Sequence, residues 1–121
     1  MENLFVYGIL KEGFKGHHLL KDCRFISTGQ TFNCFCMYDM GEFPMVVEWD
    51  EVSSIKGEIY RVPSTNDFWE ALDDFEGDEY RRIETPVIMD GSGTTRCQMY
   101  VAIEEPTAGM MIREGIWRNK T

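Results

Sequence analysis

Apolar residues recur along this chain in short runs of strand length, separated by clusters of glycine, proline and acidic residues. The first, Leu4 to Tyr7, is closed by Gly8 and runs into Gly8-Ile9-Leu10-Lys11-Glu12-Gly13, a pattern that predicts an inner strand ending in a turn. Arg24 to Gly29 and Thr31 to Met40, rich in Phe, Tyr, Thr and Cys, predict further strands around a turn. Phe43 to Trp49 predicts another, with Pro44 near its start, where a missing N–H donor is tolerated. Ser54 to Val62 alternates: Ile55, Gly57, Ile59 and Arg61 share one face, while Lys56, Glu58, Tyr60 and Val62 share the other. A glycine in that register implies that something packs closely against the backbone at Gly57. Ile83 to Met89, the turn Asp90-Gly91-Ser92-Gly93 and Thr95 to Ile103 complete a hairpin, which makes roughly six or seven strands in all.

Only one helix is clearly marked. Pro63 and Ser64 close the preceding strand, Ser64 is placed to cap a first turn, and Asp67 three residues later approximates a capping box. Phe68, Leu72 and Phe75 then recur at helical spacing, as do Trp69, Leu72 and Glu76, and Gly77 supplies a stop. The predicted helix is about Thr65 to Glu76. Many strands around one helix predict an α+β fold with a strongly bent or barrel-like sheet, and the pattern alone does not choose between a barrel and an open sheet. No repeat, low-complexity tract or internal linker interrupts the chain, so residues 1–121 are expected to form a single domain.

Composition narrows the function classes. Hydrophobic residues make up 43% of the 121 and charged residues 27%, with eight Phe, five Tyr and three Trp, too apolar and aromatic for a disordered acidic tail. Twenty-one acids against twelve basic residues leave a formal charge of -9, which repels phosphate backbones and anionic membranes, so neither nucleic acid nor membrane is an expected partner. Met1-Glu2-Asn3 opens on an acid instead of the basic stretch of a secretory signal, and a cytoplasmic location is the plain expectation. In that compartment Cys23, Cys34, Cys36 and Cys97 should be reduced, partly buried thiols. Cys34 and Cys36 share a strand face at the upper limit of disulfide separation, and the adjacent His17 and His18 diverge, so neither a redox pair nor a metal site is expected.

Two positions are candidates for chemistry. Glu76 shares a helical stripe with Trp69 and Leu72, and the rotation that buries those two turns its carboxylate inward. Desolvation, together with Asp73, Asp74, Asp78 and Glu79 nearby, would push its pKa towards the range useful for a base; the plain alternative is a solvated acidic helix end. Gly8, directly after an apolar strand, permits a turn whose successive amides of Gly8, Ile9 and Leu10 form a nest for a substrate carboxylate, with an ordinary turn as the alternative. The glycine spacing excludes a dinucleotide fingerprint or a phosphate loop, and there is no Gly-x-Ser-x-Gly, no His-Glu-x-x-His and no cysteine beside a histidine.

Phe5-Val6-Tyr7-Gly8-Ile9-Leu10-Lys11, then Phe43-Pro44, then Lys56-Gly57-Glu58-Ile59-Tyr60, then Leu72-Asp73-Asp74-Phe75-Glu76-Gly77 followed by Tyr80 and Arg81, stand in an order that resembles the γ-glutamylcyclotransferase-like, or AIG2-like, family. The resemblance implies a small mixed β-barrel with helices packed outside and a cavity near the end of the first strand. It implies that Tyr7, Gly8, Ile9 and Leu10 bind a γ-glutamyl moiety, mainly through backbone groups, and that Glu76 is the catalytic acid/base. It implies a cofactor-independent enzyme that releases 5-oxoproline from a small γ-glutamyl substrate. The chain departs from the family's usual Tyr-Gly-Thr-Leu or Tyr-Gly-Ser-Leu at Ile9, which lacks the hydroxyl. If that hydroxyl donates to substrate, its loss leaves a partner unpaired at a cost of roughly 1–3 kcal/mol. Alternatives on the same fold are a non-catalytic small-ligand-binding or interaction protein, and an amide hydrolase that activates water.

Overall fold

The computed structural model describes residues 2–49 and 52–118. Its strands are β1 (Glu2–Val6), β2 (Arg24–Thr31), β3 (Phe35–Asp39), β4 (Pro44–Glu48), β5 (Lys56–Val62), β6 (Tyr80–Met89), β7 (Thr94–Ala102) and β8 (Met110–Ile112); α1 is Asn66–Glu76, and a 3-10 turn spans His17–Leu20. Strands β1-β5-β2-β6-β7 close into a barrel, and β4-β3-β8 form a separate sheet. The barrel is mixed. Every neighbour pair is antiparallel except the closing one, where β1 meets β7 in parallel with Leu4 opposite Gln98. The expected α+β barrel is therefore the fold, with one α-helix against it where the resemblance implied several.

Alternation along β1 and β5 serves two cores. Phe5 and Ile59 point into the barrel with Val87, Met99 and Val101, and the second sheet packs Phe35, Met37 and Val46 onto that same core. Leu4, Val6, Tyr60 and Val62 point outward, where α1 covers them with Trp69 and Leu72. The helix exists because this apolar stripe needs cover, and its start is fixed by Thr65, whose hydroxyl accepts from the Phe68 amide at 3.3 Å. Thr65, not Ser64, is thus the cap, and Asp67 lies in the first turn without closing a capping box. Gly77 ends the helix at φ 88°, a left-handed conformation that favours glycine, and its amide returns to the Asp73 carbonyl at 2.9 Å.

Other boundaries moved. The predicted break at Gln30 is absent: β2 runs through Gly29 to Thr31 because Gly29 sits between Gly57 of β5 and Met89 of β6, and a Cβ there would lie 2.7 Å from the Ile88 carbonyl oxygen. Cys34 consequently precedes β3 and is exposed, whereas Cys36 is within the strand and buried. The close approach expected at Gly57 is real, since its Cβ would strike the Val6 carbonyl oxygen and the Phe5 ring. After β8 the chain returns to the barrel, burying Trp117 in the core, while its carbonyl accepts from Lys11 Nζ at 2.7 Å. Among the described residues no helix is long and apolar enough to cross a membrane.

Candidate active site

A cavity of about 230 Å³ opens where β1 ends. Its walls come from the loop after β1, the β3–β4 turn with Phe43 and Pro44, the end of α1 with Phe75 and Glu76, and the starts of β4 and β6. All five residues singled out from the sequence, Tyr7, Gly8, Ile9, Leu10 and Glu76, line this one cavity.

The loop is held by its carbonyls. That of Gly8 accepts from the Lys11 amide at 3.0 Å, that of Ile9 from the Gly16 amide at 2.8 Å, and that of Leu10 from His17 Nδ1, which must carry its proton, at 2.9 Å. Among the described residues nothing accepts from the amides of Gly8, Ile9 and Leu10. Three successive amides left without an acceptor, their carbonyls tied elsewhere, leave backbone donors on this loop whatever the side chain at position 9. Gly8 itself is required by packing: a Cβ there would lie 2.8 Å from Pro44 Cγ and 3.0 Å from Cδ. That contact joins the sequence-distant Tyr-Gly and Phe-Pro pairs.

Glu76 is half-buried, and its pKa is raised to about 7, first by burial and then by the charge of Asp73 one turn earlier. Its place at the C-terminal end of α1, the negative end of the helix dipole, acts in the same direction. Asp73 is itself engaged, accepting from the Tyr100 hydroxyl at 2.5 Å and pairing with both Arg82 Nε and an Arg82 terminal nitrogen at 3.3 Å. Arg82 lies 4.3 Å over the Trp69 ring, so the face of α1 behind Glu76 is anchored to β6 and β7.

Three phenols surround the carboxylate. Tyr7 donates to the Tyr100 carbonyl at 2.7 Å and Tyr100 donates to Asp73, whereas the Tyr80 hydroxyl has no partner among the described residues. Burial and then the charges of Glu76 and Glu79 hold Tyr80 well above its ordinary pKa, so it stays protonated and able to donate. Sequence reasoning assigned no place in the site to Tyr80, Tyr100, Phe43 or Phe75, and it gave Asp74, Asp78 and Glu79 a share in raising the Glu76 pKa that falls, among the neighbouring acids, to Asp73. Tyr80 stood in a recognised motif, but Tyr100 sits in a strand where an aromatic reads as core. Among the described residues no group of His, Cys, Asp and Glu has an arrangement that could hold a metal ion.

A closed mixed barrel with one covering helix and an acid-bearing cavity at the end of its first strand defines a class of small α+β barrels. The chain belongs within that class to the family described as gamma-glutamyl cyclotransferase, AIG2-like, whose match covers residues 4–119. A protein of Methanocaldococcus jannaschii, provisionally named a gamma-glutamylcyclotransferase, is 34% identical over 98% of this chain and 98% of its own length. Among solved structures, an AIG2-like protein of Mus musculus superposes with a TM-score of 0.83 at 24% identity, over 98% of this chain and 88% of that one, a likeness of fold. YkqA of Bacillus subtilis superposes at 0.77 with 29% identity over 96% of this chain, which spans only 39% of YkqA. The family and the M. jannaschii relative give the chain a cyclotransferase-type function.

Proposed function

We propose that this protein cyclises a γ-glutamyl group, with Glu76 moving the proton, to release 5-oxoproline and an amine or amino acid. The observation that supports the reading is that the half-buried Glu76 and the residues Gly8, Ile9 and Leu10, whose amides have no acceptor among the described residues, line one cavity. The nest takes the substrate's α-carboxylate and leaves the α-ammonium and the γ-amide towards Glu76.

A carboxylate with its pKa raised to about 7 is a stronger base than an ordinary carboxylate, which lowers the cost of taking the proton of the substrate's α-ammonium. The freed amine attacks the γ-carbonyl of the same molecule, and the tetrahedral oxyanion has the Tyr80 hydroxyl as its available donor. That attack closes the five-membered ring; Glu76, now protonated, returns its proton to the departing nitrogen as the C–N bond breaks, and the second proton of the attacking nitrogen passes to the regenerated Glu76 carboxylate and then to the released amine or solvent, leaving the neutral lactam. Holding the glutamyl chain curled supplies the intramolecular advantage, for which well-oriented reactions reach about 10⁵–10⁸ M effective molarity.

The test is 5-oxoproline release from a panel of γ-glutamyl compounds by wild type, Glu76→Gln and Glu76→Asp, with circular dichroism to verify folding. Glu76→Gln keeps the shape but cannot accept the proton, and kcat should fall about 10²–10⁴-fold with a smaller change in ligand affinity. Glu76→Asp should also be badly impaired, because it withdraws the carboxylate by one methylene. A folded Glu76→Gln variant with near-wild-type turnover refutes the mechanism, and linear glutamate as product indicates attack by water instead.

A further inference from the structure

Resting on the cyclotransferase reading, we infer that Tyr100 is a positioning residue: its hydroxyl fixes, through Asp73, the turn of α1 that carries Glu76, and its carbonyl fixes the loop after β1, so that one residue sets the separation of the two halves of the site. Glu76 is the last residue of α1, and the last apolar residue that the helix buries is Leu72, one turn earlier. A terminal turn has carbonyls without helical partners and frays unless something holds it. Here the hold is polar. Asp73, at the start of that turn, accepts from the Tyr100 hydroxyl at 2.5 Å and from Arg82 Nε at 3.3 Å. Arg82 of β6 and Tyr100 of β7 stand directly opposite each other in the antiparallel ladder, so their side chains rise on one face of the sheet and meet the helix together.

The two arms are unequal. The Arg82 and Asp73 side chains are 29% and 45% exposed, and an ion pair that open to solvent holds little. Tyr100 is buried, and burial followed by its bond to Asp73 keeps the phenol well above its ordinary pKa, so it donates at every working pH. At its other end the Tyr100 carbonyl accepts from the Tyr7 hydroxyl at 2.7 Å, a phenol that burial also keeps protonated. Tyr7 opens the loop that continues through Gly8, Ile9 and Leu10, and both tyrosines line the cavity with Glu76. The groups that face Glu76 are Asp73 on its own helix, Tyr7 after β1, Glu79 and Tyr80 where β6 begins, and Tyr100 on β7, with Arg82 behind Asp73. Asp73 thus has two separable effects: it takes the hold of Tyr100, and its charge makes Glu76 more basic.

Two substitutions separate them. Tyr100→Phe removes the hold and keeps the charge, whereas Asp73→Asn keeps an oxygen acceptor for Tyr100 and removes the charge. The measures are kcat, KM and the pH profile of kcat/KM for 5-oxoproline release, with urea unfolding to verify the fold. Tyr100→Phe should lower kcat about 10–100-fold with KM little changed and the rising limb in place, since a displacement of about 1 Å can cost on the order of 10²-fold. Asp73→Asn should move the rising limb to lower pH, because the negative neighbour that raises the Glu76 pKa is gone. Tyr7→Phe cuts the loop side of the same junction and should share the kcat loss; it decides the matter if Tyr100→Phe does not fold. Wild-type kcat in the folded Tyr100→Phe variant would overturn the inference and leave the cyclisation standing. So would a Tyr100→Phe limb displaced as far as that of Asp73→Asn, since Tyr100 would then act by tuning the carboxylate instead of placing it. No 5-oxoproline from the wild-type protein with any γ-glutamyl compound would overturn the cyclotransferase reading and this inference with it.

Discussion

Tyr80 differs from the other two phenols of the site in having nothing, among the described residues, to donate to. Tyr7 and Tyr100 are therefore parts of the scaffold, and Tyr80 is the one whose hydroxyl is available to a developing oxyanion. Tyr80→Phe should lower kcat about 10²–10³-fold with little change in KM, read by steady-state 5-oxoproline release; an unchanged kcat would assign the oxyanion to backbone amides. Glu76 carries a second consequence, in stability. Its folded pKa of about 7 lies above the unfolded value near 4.5, so the native state binds this proton more tightly. Stability associated with the group is complete below the unfolded pKa and is lost as the pH rises through about 7, the reverse of an ion-paired carboxylate. Glu76→Gln mimics the protonated form and escapes that loss. The variant should be more stable than wild type at pH 8, by on the order of 1–3 kcal/mol, and indistinguishable at pH 4, as measured by urea unfolding at both values. The same pKa predicts a rising limb near pH 7 in kcat/KM. Glu76 was legible in the sequence because its helical stripe is local, but Tyr80's free hydroxyl depends on partners that only the closed barrel brings near or keeps away.

At the scale of elements, glycines separate the part of the structure that makes the barrel from the part that makes the site. Gly57 faces the backbone of the neighbouring β1, where a Cβ would strike the Val6 carbonyl, which cannot swing aside as a side chain can. Gly8 faces only the Pro44 ring. Gly57→Ala should therefore cost about 1–3 kcal/mol of global stability, and Gly8→Ala should disturb ligand affinity more than unfolding, with chemical denaturation and ligand titration run on both. Comparable stability losses from the two would remove the distinction. The close approach at Gly57 was legible because alternation on both sides of it left the glycine as an anomaly in register. The continuous β2 was not, because Gly29 looks like a stop until its neighbours Gly57 and Met89 are known. Strand β8 and the 3-10 turn were invisible for a related reason: Met110–Ile112 and His17–Leu20 are too short to carry a period, and pairing with β3 or the His17 contact to the Leu10 carbonyl defines them.

For the molecule as a whole, the C-terminal segment matters more than its irregular backbone suggests. Trp117 is fully buried in the barrel core, and its carbonyl holds Lys11, next to the cavity-lining loop after β1. Trp117→Ala should cost about 3–5 kcal/mol in urea unfolding, and the surviving folded fraction should bind ligand more weakly because the Lys11 anchor has moved. A milder loss would mean that the barrel closes without the segment. The parallel pairing of β1 with β7 has a further consequence, for the order of assembly. Strand β1 finds one partner in β5 and the other in β7, two strands and a helix further along than β5. Contacts that span so much sequence form slowly, and a nascent chain has no β7 until every other barrel strand has emerged. The loop that follows β1, whose residues line the cavity, therefore cannot be set until the barrel shuts. A ribosome-bound or truncated chain lacking β7 would carry every residue of the Tyr7–Leu10 loop and Glu76, yet no pocket, so the regain of ligand binding during refolding marks the closing of the ring.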